Sequence, residues 1–330
     1  MPMTCQINYT RKPLIVVVVT VFLFLAACTE VAVTPQPEHP PLRMEYTLWW
    51  SDYTMFVAQE LNLFEKHGVA VEPVFYEVFS EALPAMATGA IDGGVFGPGD
   101  ALSTASKTPL KVVGVTDDGG FNYVIGAPDI ETAADLRGKR IGVPVGTTYE
   151  IFALQALAEG GLAADDAVLI NMEVEDIAAN LGKTIDAGYT WDPYASEALA
   201  AGATLLLKSG SSETLTPNVV VFRAEVVEQR PDDVRAYLKA WFEAVDYRHN
   251  NPEEASRIIA ETLEIAPEEL SEDAQLFTAQ ENIALFSDQA QGNTLNLNEI
   301  FKLNGNFLIR IGVLGAEPDL SALLDGTYLP

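Results

Sequence analysis

Gly146-Thr147-Thr148 is the stretch of this 330-residue chain best suited to holding a small polar molecule. Glycine lets a ligand approach the backbone, and two adjacent hydroxyls can each donate and accept. Thr147 and Glu150 also stand at capping-box spacing, so the same residues serve an ordinary helix start. Four other short stretches join polar and aromatic side chains where a strand ends or a helix begins. They are Trp49–Tyr53, with Trp50, Ser51, Asp52 and Tyr53; Gly97 to Asp100; Asp117 to Asn122; and Trp191, Asp192 and Tyr194. Trp50, Tyr53, Tyr149 and Trp191 would suit the face of a ring or a cationic amine. The charges in these stretches have one sign: Asp52, Asp100, Asp117, Asp118 and Asp192, with no Lys or Arg. At an effective dielectric near 20, one carboxylate about 5 Å from a bound anion repels it by roughly 3 kcal/mol. A helix N-terminus returns about 0.3–1 kcal/mol. Bare nitrate or sulfate is therefore disfavoured, and a zwitterion or nitrogen heterocycle preferred.

The usual signs of catalysis are missing. The sequence holds no GxSxG elbow, no HExxH and no phosphate-loop GK[ST]. Gly93 to Gly97 lacks dinucleotide-binding spacing. His39, His67 and His249 are far apart, and the two cysteines, Cys5 and Cys28, form no thiol cluster. We expect no metal, no cofactor and no enzymatic activity.

The elements that must position these stretches alternate between strand and helix. A strand is expected over Tyr46–Trp50, a helix over Thr54–Lys66 ending at Gly68, and strands over Val69–Phe75 and Ile91–Phe96. Helices over Glu81–Thr88 and Ala101–Ser106 flank the latter, and Leu110–Val115 closes a first α/β unit. The pattern restarts with Arg140–Val143, a helix from the Gly146 turn to Ala158, Val168–Asn171, Asp176–Leu181 and Ala187–Trp191. Leu205–Leu207 and Val219–Phe222 follow. Beyond Pro231, Val234, Leu238, Trp241 and Val245 recur at helical spacing, and the remainder is helical. The fold class is α/β: two units, each a largely parallel sheet, with a helical C-terminal extension.

The N-terminus reads as an export signal. Arg11 and Lys12 precede an apolar run from Leu14 to Ala27, shorter than the roughly 20 residues a spanning helix needs. Leu25-Ala26-Ala27-Cys28 resembles the bacterial lipobox, which implies cleavage after residue 27, lipidation of Cys28 and membrane attachment through acyl chains alone. Proline-rich residues 28–42 read as a tether. The formal charge is −28. Such a surface repels nucleic acid.

Five segments, in order, resemble the solute-binding proteins of taurine, alkanesulfonate and nitrate importers and their relatives for thiamine-precursor pyrimidines. They are VAQELNLFEKHGVAVEPVFY, ALPAMATGAIDGGVFGPGDAL, DIETAADLRGKRIGVPVGTTYEIFALQAL, TIDAGYTWDPYASEAL and RPDDVRAYLKAWFEAVDYRHNNPEEA. The resemblance implies a type II periplasmic-binding-protein fold, with lobe one at 43–124 plus 223–330 and lobe two at 125–222. It implies crossovers near Tyr123–Gly126 and Val220–Arg223. It further implies a ligand held between Trp50, Ser51, Asp52, Tyr53, Gly97, Asp100, Asp117 and Asn122 on one side and Thr147, Thr148, Tyr149, Trp191 and Asp192 on the other. The partners implied are a small solute, an ABC permease and its ATPase, served by a monomer in the cell envelope. A taurine-like zwitterion comes first and an aromatic heterocycle second. A sensing domain is the reading from another class. A pyrimidine-precursor synthase is opposed by the missing cysteine cluster.

Overall fold

A computed structural model describes residues 39–330 apart from 121, 148, 210–216, 268–269, 271–273 and 288–295. The expected signal segment, Cys28 and most of the tether lie outside the described residues. The first half of the chain contains β1 (Leu42–Tyr46), α1 (Thr54–Glu60), α2 (Leu63–His67), β2 (Val71–Phe75), α3 (Ala82–Thr88), β3 (Gly93–Phe96), α4 (Pro98–Ala105) and β4 (Leu110–Asp117). Then come β5 (Asn122–Gly126), β6 (Arg140–Val143), α5 (Tyr149–Glu159), β7 (Val168–Asn171), α6 (Val174–Asn180), β8 (Ala187–Thr190), α7 (Tyr194–Ala200), β9 (Thr204–Ser209) and β10 (Asn218–Arg223). Helices α8 (Ala224–Gln229), α9 (Pro231–Asn250), α10 (Pro252–Leu263), α11 (Ala279–Phe286), α12 (Leu297–Arg310) and α13 (Leu320–Leu323) complete it.

Two five-stranded sheets organise these elements, in the orders β2-β1-β3-β10-β4 and β7-β6-β8-β5-β9. Both are mixed rather than wholly parallel. In the first, β10 runs antiparallel to β3 and β4; in the second, β5 runs antiparallel to β8 and β9. These are the two strands by which the chain passes from one sheet to the other. A strand arriving from the facing sheet enters at the cleft end, opposite to strands whose helices return the chain from behind. β5 pairs wholly in the second sheet and β10 wholly in the first. The chain thus changes sheets between Asp117 and Asn122, and again between Ser209 and Asn218.

The expected strand over Tyr46–Trp50 is displaced. β1 instead pairs Leu42–Tyr46 with Val71–Phe75 in parallel register, which frees residues 47–53 as a loop at its carboxyl end. The expected helix over 54–66 breaks at Asn62, whose φ of 54° starts α2. Helix α9 carries its apolar stripe as the spacing predicts: Val234, Leu238, Trp241 and Val245 are all fully buried against α1, α2 and β10. Two glycines keep β3 close to β1. A Cβ on Gly94 would lie 2.5 Å from Glu45 Oε2, and one on Gly93 would lie 2.8 Å from Met44.

Candidate functional site

The carboxyl ends of both sheets face a cleft of about 510 Å³, counting its mouth. The first sheet supplies Thr47, Trp49 and Asp52 from the loop after β1, Val95 and Gly97 from the end of β3, and Asn218 from the start of β10. Phe79 reaches in from the turn before α3, and Gly119 from the passage after β4. The second sheet supplies Asn122 at the start of β5, Tyr149 at the start of α5, Tyr189 on β8 and Trp191 just beyond it.

Four rings form one wall. Tyr149 stacks on Tyr189 with centroids 4.8 Å apart, and Trp191 stands edge-on to Tyr149 at 5.3 Å. Trp49 meets Trp191 edge-on at 6.0 Å, so the wall continues from one sheet to the other. The Tyr189 hydroxyl donates to Asn122 Oδ1 at 2.6 Å, fixing that amide at the passage between the sheets.

The floor is acidic. Asp52 Oδ2 accepts from the backbone N–H and the hydroxyl of Thr47 at 2.9 and 3.1 Å, while its Oδ1 is buried with no partner. Burial pushes this carboxyl up to about 8; the Thr47 bonds and the Arg248 charge oppose the shift, and Asp117 adds to it. Beneath it Glu45 is 1 % exposed. One Glu45 oxygen accepts from Val95 N at 3.0 Å and the other has no partner. Burial first, and Asp52 second, hold its pKa well above the ordinary carboxylate range. Asp117 is different: it accepts from Trp49 Nε1, Thr116 Oγ1, Asn218 Nδ2 and Gly119 N, and so ties four segments together under the cleft. Burial still raises its pKa against those bonds.

Of the residues singled out in the sequence, Asp52, Gly97, Asn122, Tyr149 and Trp191 come together in the lining. Trp50 does not; its ring lies under Arg248 at 4.0 Å and against Tyr53, on the side of α9. Because β1 ends at Tyr46, the loop turns Trp49 to the cleft and Trp50 back to the core. Tyr53 stacks on Phe56 and Ser51 donates to Thr116, both buried outside the lining. Asp117 acts from beneath, as a brace. Thr147 donates to Pro144 O and accepts from Tyr149 N, which spends its hydroxyl locally. Thr148 lies outside the described residues. Thr47, Phe79, Val95, Gly119, Tyr189 and Asn218 line the cleft without having been singled out.

The helix starts around the cleft carry carboxylates of their own. Glu150 accepts from Gly146 N at 2.8 Å before α5, and Asp192 accepts from Ser196 N at 2.8 Å in α7 and from the Tyr123 hydroxyl. Asp100, in the first turn of α4, is bonded to its own backbone N–H, has one oxygen without a partner, and is pushed by burial up to about 7. These three backbone donors are thus already paired with this chain's acids rather than open to an anion. No Lys or Arg stands among the described residues lining the cleft.

Two mixed α/β lobes around an aromatic, acid-floored cleft define a binding protein of the periplasmic type. The family model described as NMT1/THI5 like matches residues 52–255. The chain belongs to this family, and is a binding protein rather than an enzyme. A Brucella abortus protein named as a binding protein is 30% identical over 257 residues, 75% of this chain and 80% of that one. The taurine-binding periplasmic protein of Escherichia coli is 28% identical over 204 residues, 60% of this chain and 63% of its own. In structure, the chain is similar to the alkanesulfonate-binding protein of Xanthomonas axonopodis pv. citri, with a TM-score of 0.69 at 19% identity over 87% of this chain and 99% of that one. It is likewise similar to the periplasmic nitrate-binding protein of Synechocystis PCC 6803, with a TM-score of 0.71 at 16% identity over 89% and 88%. The fold expected from the sequence is the fold found.

Proposed function

We propose that the chain is an extracytoplasmic solute-binding lipoprotein that hands a small nitrogen-containing solute to an ABC permease and its ATPase. Cys28 carries the lipid, residues after it form the tether, and the folded part stands as a monomer on the outer side of the cytoplasmic membrane. Lobe one comprises about residues 39–117 and 218–330, lobe two about 122–209. The lobes close on ligand about the two places where the chain changes sheets, because the solute bridges Asp52 and Trp49 on one lobe to Tyr149 and Trp191 on the other.

One observation carries the choice of solute. Asp52 lines the cleft with an oxygen that is buried and unpartnered, beside aromatic walls and with no basic side chain among the described lining residues, Arg248 outside the lining being the cation that acts on it. Such a site favours an N–H donor or cation bearing a flat or apolar face, a pyrimidine-like or other nitrogenous ring among them. A taurine-like zwitterion is the second reading, favoured by the taurine- and sulfonate-binding relatives; its ammonium would face Asp52.

A thermal-shift panel tests both readings, with taurine, alkanesulfonates, nitrate, quaternary amines, pyrimidines and thiamine as solutes. A ligand at 100 times its Kd adds about 2.7 kcal/mol, a rise of several degrees for a protein of this size. Amines or heterocycles are expected to give the largest rise. A response to nitrate alone would overturn the reading of the cleft.

A further inference from the structure

Glu45 and Asp52 form a pair of buried acids that the proposed binding step leaves half used. They are 1 % and 2 % exposed, and each presents one bonded and one unpartnered oxygen. Glu45 sits on β1, where Gly94 leaves it room: a Cβ at that position would lie 2.5 Å from its Oε2. Asp52 sits six residues after β1 ends and is the only acid among the described residues lining the cleft.

The groups facing the pair can be named element by element. Asp117 on β4 disfavours a negative charge on Asp52, and the Tyr53 hydroxyl within electrostatic reach of it is neutral near pH 7. Tyr237 on α9, Tyr149 on α5 and Tyr76 after β2 lie within electrostatic reach of Glu45, and are neutral near pH 7. Arg248 on α9 is the cation acting on Asp52, and its guanidinium also donates to Trp50 O and Thr54 Oγ1. Two carboxylates in one low-dielectric pocket do not ionise together without a cation to offset the second charge.

We propose that the solute is a cation that binds by exchanging with a proton on Asp52. The cation enters, Asp52 gives up its carboxyl proton to bulk water, and the carboxylate pairs with the bound charge while Glu45 keeps its own proton. Charge balances: one positive charge in, one out. The inference rests on the reading of the cleft as a solute site, and adds to it the charge of the solute and its linkage to pH. With Asp52 titrating about pH 8, affinity is lost as pH falls, approaching about tenfold per unit well below that point and amounting to about fiftyfold from pH 8 to pH 6.

The test uses the full chain and has one readout that needs no ligand. A carboxyl whose pKa is higher folded than unfolded costs stability as pH rises from the unfolded value towards the folded one. The melting temperature of the wild type is therefore expected to fall between pH 4 and pH 8 relative to that of Asp52→Asn, and the gap to level off above pH 8. Glu45→Gln, which replaces an acid that stays protonated over this range, is expected to leave that break where it is. The ligand arm titrates choline, a cation whose charge does not change with pH, and 1-methylpyridinium, a flat one, by tryptophan fluorescence at pH 6, 7, 8 and 9. Affinity rising about fiftyfold from pH 6 to pH 8 in the wild type, and flat in Asp52→Asn, supports the exchange. Parallel melting curves for wild type and Asp52→Asn would overturn it and leave the solute-binding reading standing. Neither cation binding, while taurine or a neutral pyrimidine does, would overturn it too; a full panel without any binder would overturn the underlying reading.

Discussion

Trp191 stands edge-on to Trp49 across the cleft and to Tyr149 within its own lobe, and remains only partly buried. Trp191→Ala removes a wall of the cleft without opening the core behind it, where Phe152 and Tyr189 stack. Affinity for the bound solute is expected to fall by at least about tenfold, roughly 1.4 kcal/mol, with a smaller loss of folding free energy. Equal losses in a titration and a denaturant melt would make Trp191 a core residue. At this scale the sequence reveals residues whose position follows from a strand end: Asp52, Gly97, Asn122, Tyr149 and Trp191. It does not separate Trp49 from Trp50. The two are adjacent and alike, and which one faces the cleft depends on β1 ending at Tyr46. Tyr189 and Asn218 were equally hidden, the one inside a strand and the other brought in by a passage from a distant part of the chain.

Helix α11 is joined to the edge strand β4 through one buried amide. Asn282 Oδ1 accepts from Val115 N at 2.6 Å, and its Nδ2 donates to Val115 O at 3.0 Å, so a side chain completes the backbone pairing that β10 leaves open there. Asn282→Ala would leave a buried N–H and a buried C=O without partners, at about 1–3 kcal/mol each. The expected loss of stability is about 2–4 kcal/mol, read from a denaturant midpoint at unchanged slope. Affinity per folded molecule should change little, since Asn282 lies outside the cleft lining. Element boundaries were legible wherever periodicity and punctuation agreed, as in β6, β7 and the buried stripe of α9. Strand direction was not. Nothing local in Asn122–Gly126 or Asn218–Arg223 says that they run against their neighbours, because direction follows from which sheet the chain has just left. The carboxylates on the helix starts were visible as residues, but the donors they occupy were not. Glu150, for instance, reaches Gly146 N, one residue short of the partner that capping-box spacing assigns it.

The molecule as a whole carries a formal charge of −28, and that field acts on a solute before any contact is made. Close contacts set how long the solute stays, whereas the summed charge sets how often it arrives. The three candidate classes respond to it with different signs: a cation is drawn in, an anion is held off, and a zwitterion feels mainly the local gradient. Raising ionic strength from about 0.01 M to 0.15 M shortens the screening length from about 30 Å to 8 Å. Stopped-flow tryptophan fluorescence can follow arrival directly, because Trp49 and Trp191 both line the cleft. For the cationic solute inferred above, the association rate is expected to fall several-fold over that range while dissociation changes little. An association rate that rises with salt would mean the solute is an anion, admitted despite Asp52 and the occupied helix starts. A flat rate would favour the zwitterion, with its ammonium at Asp52.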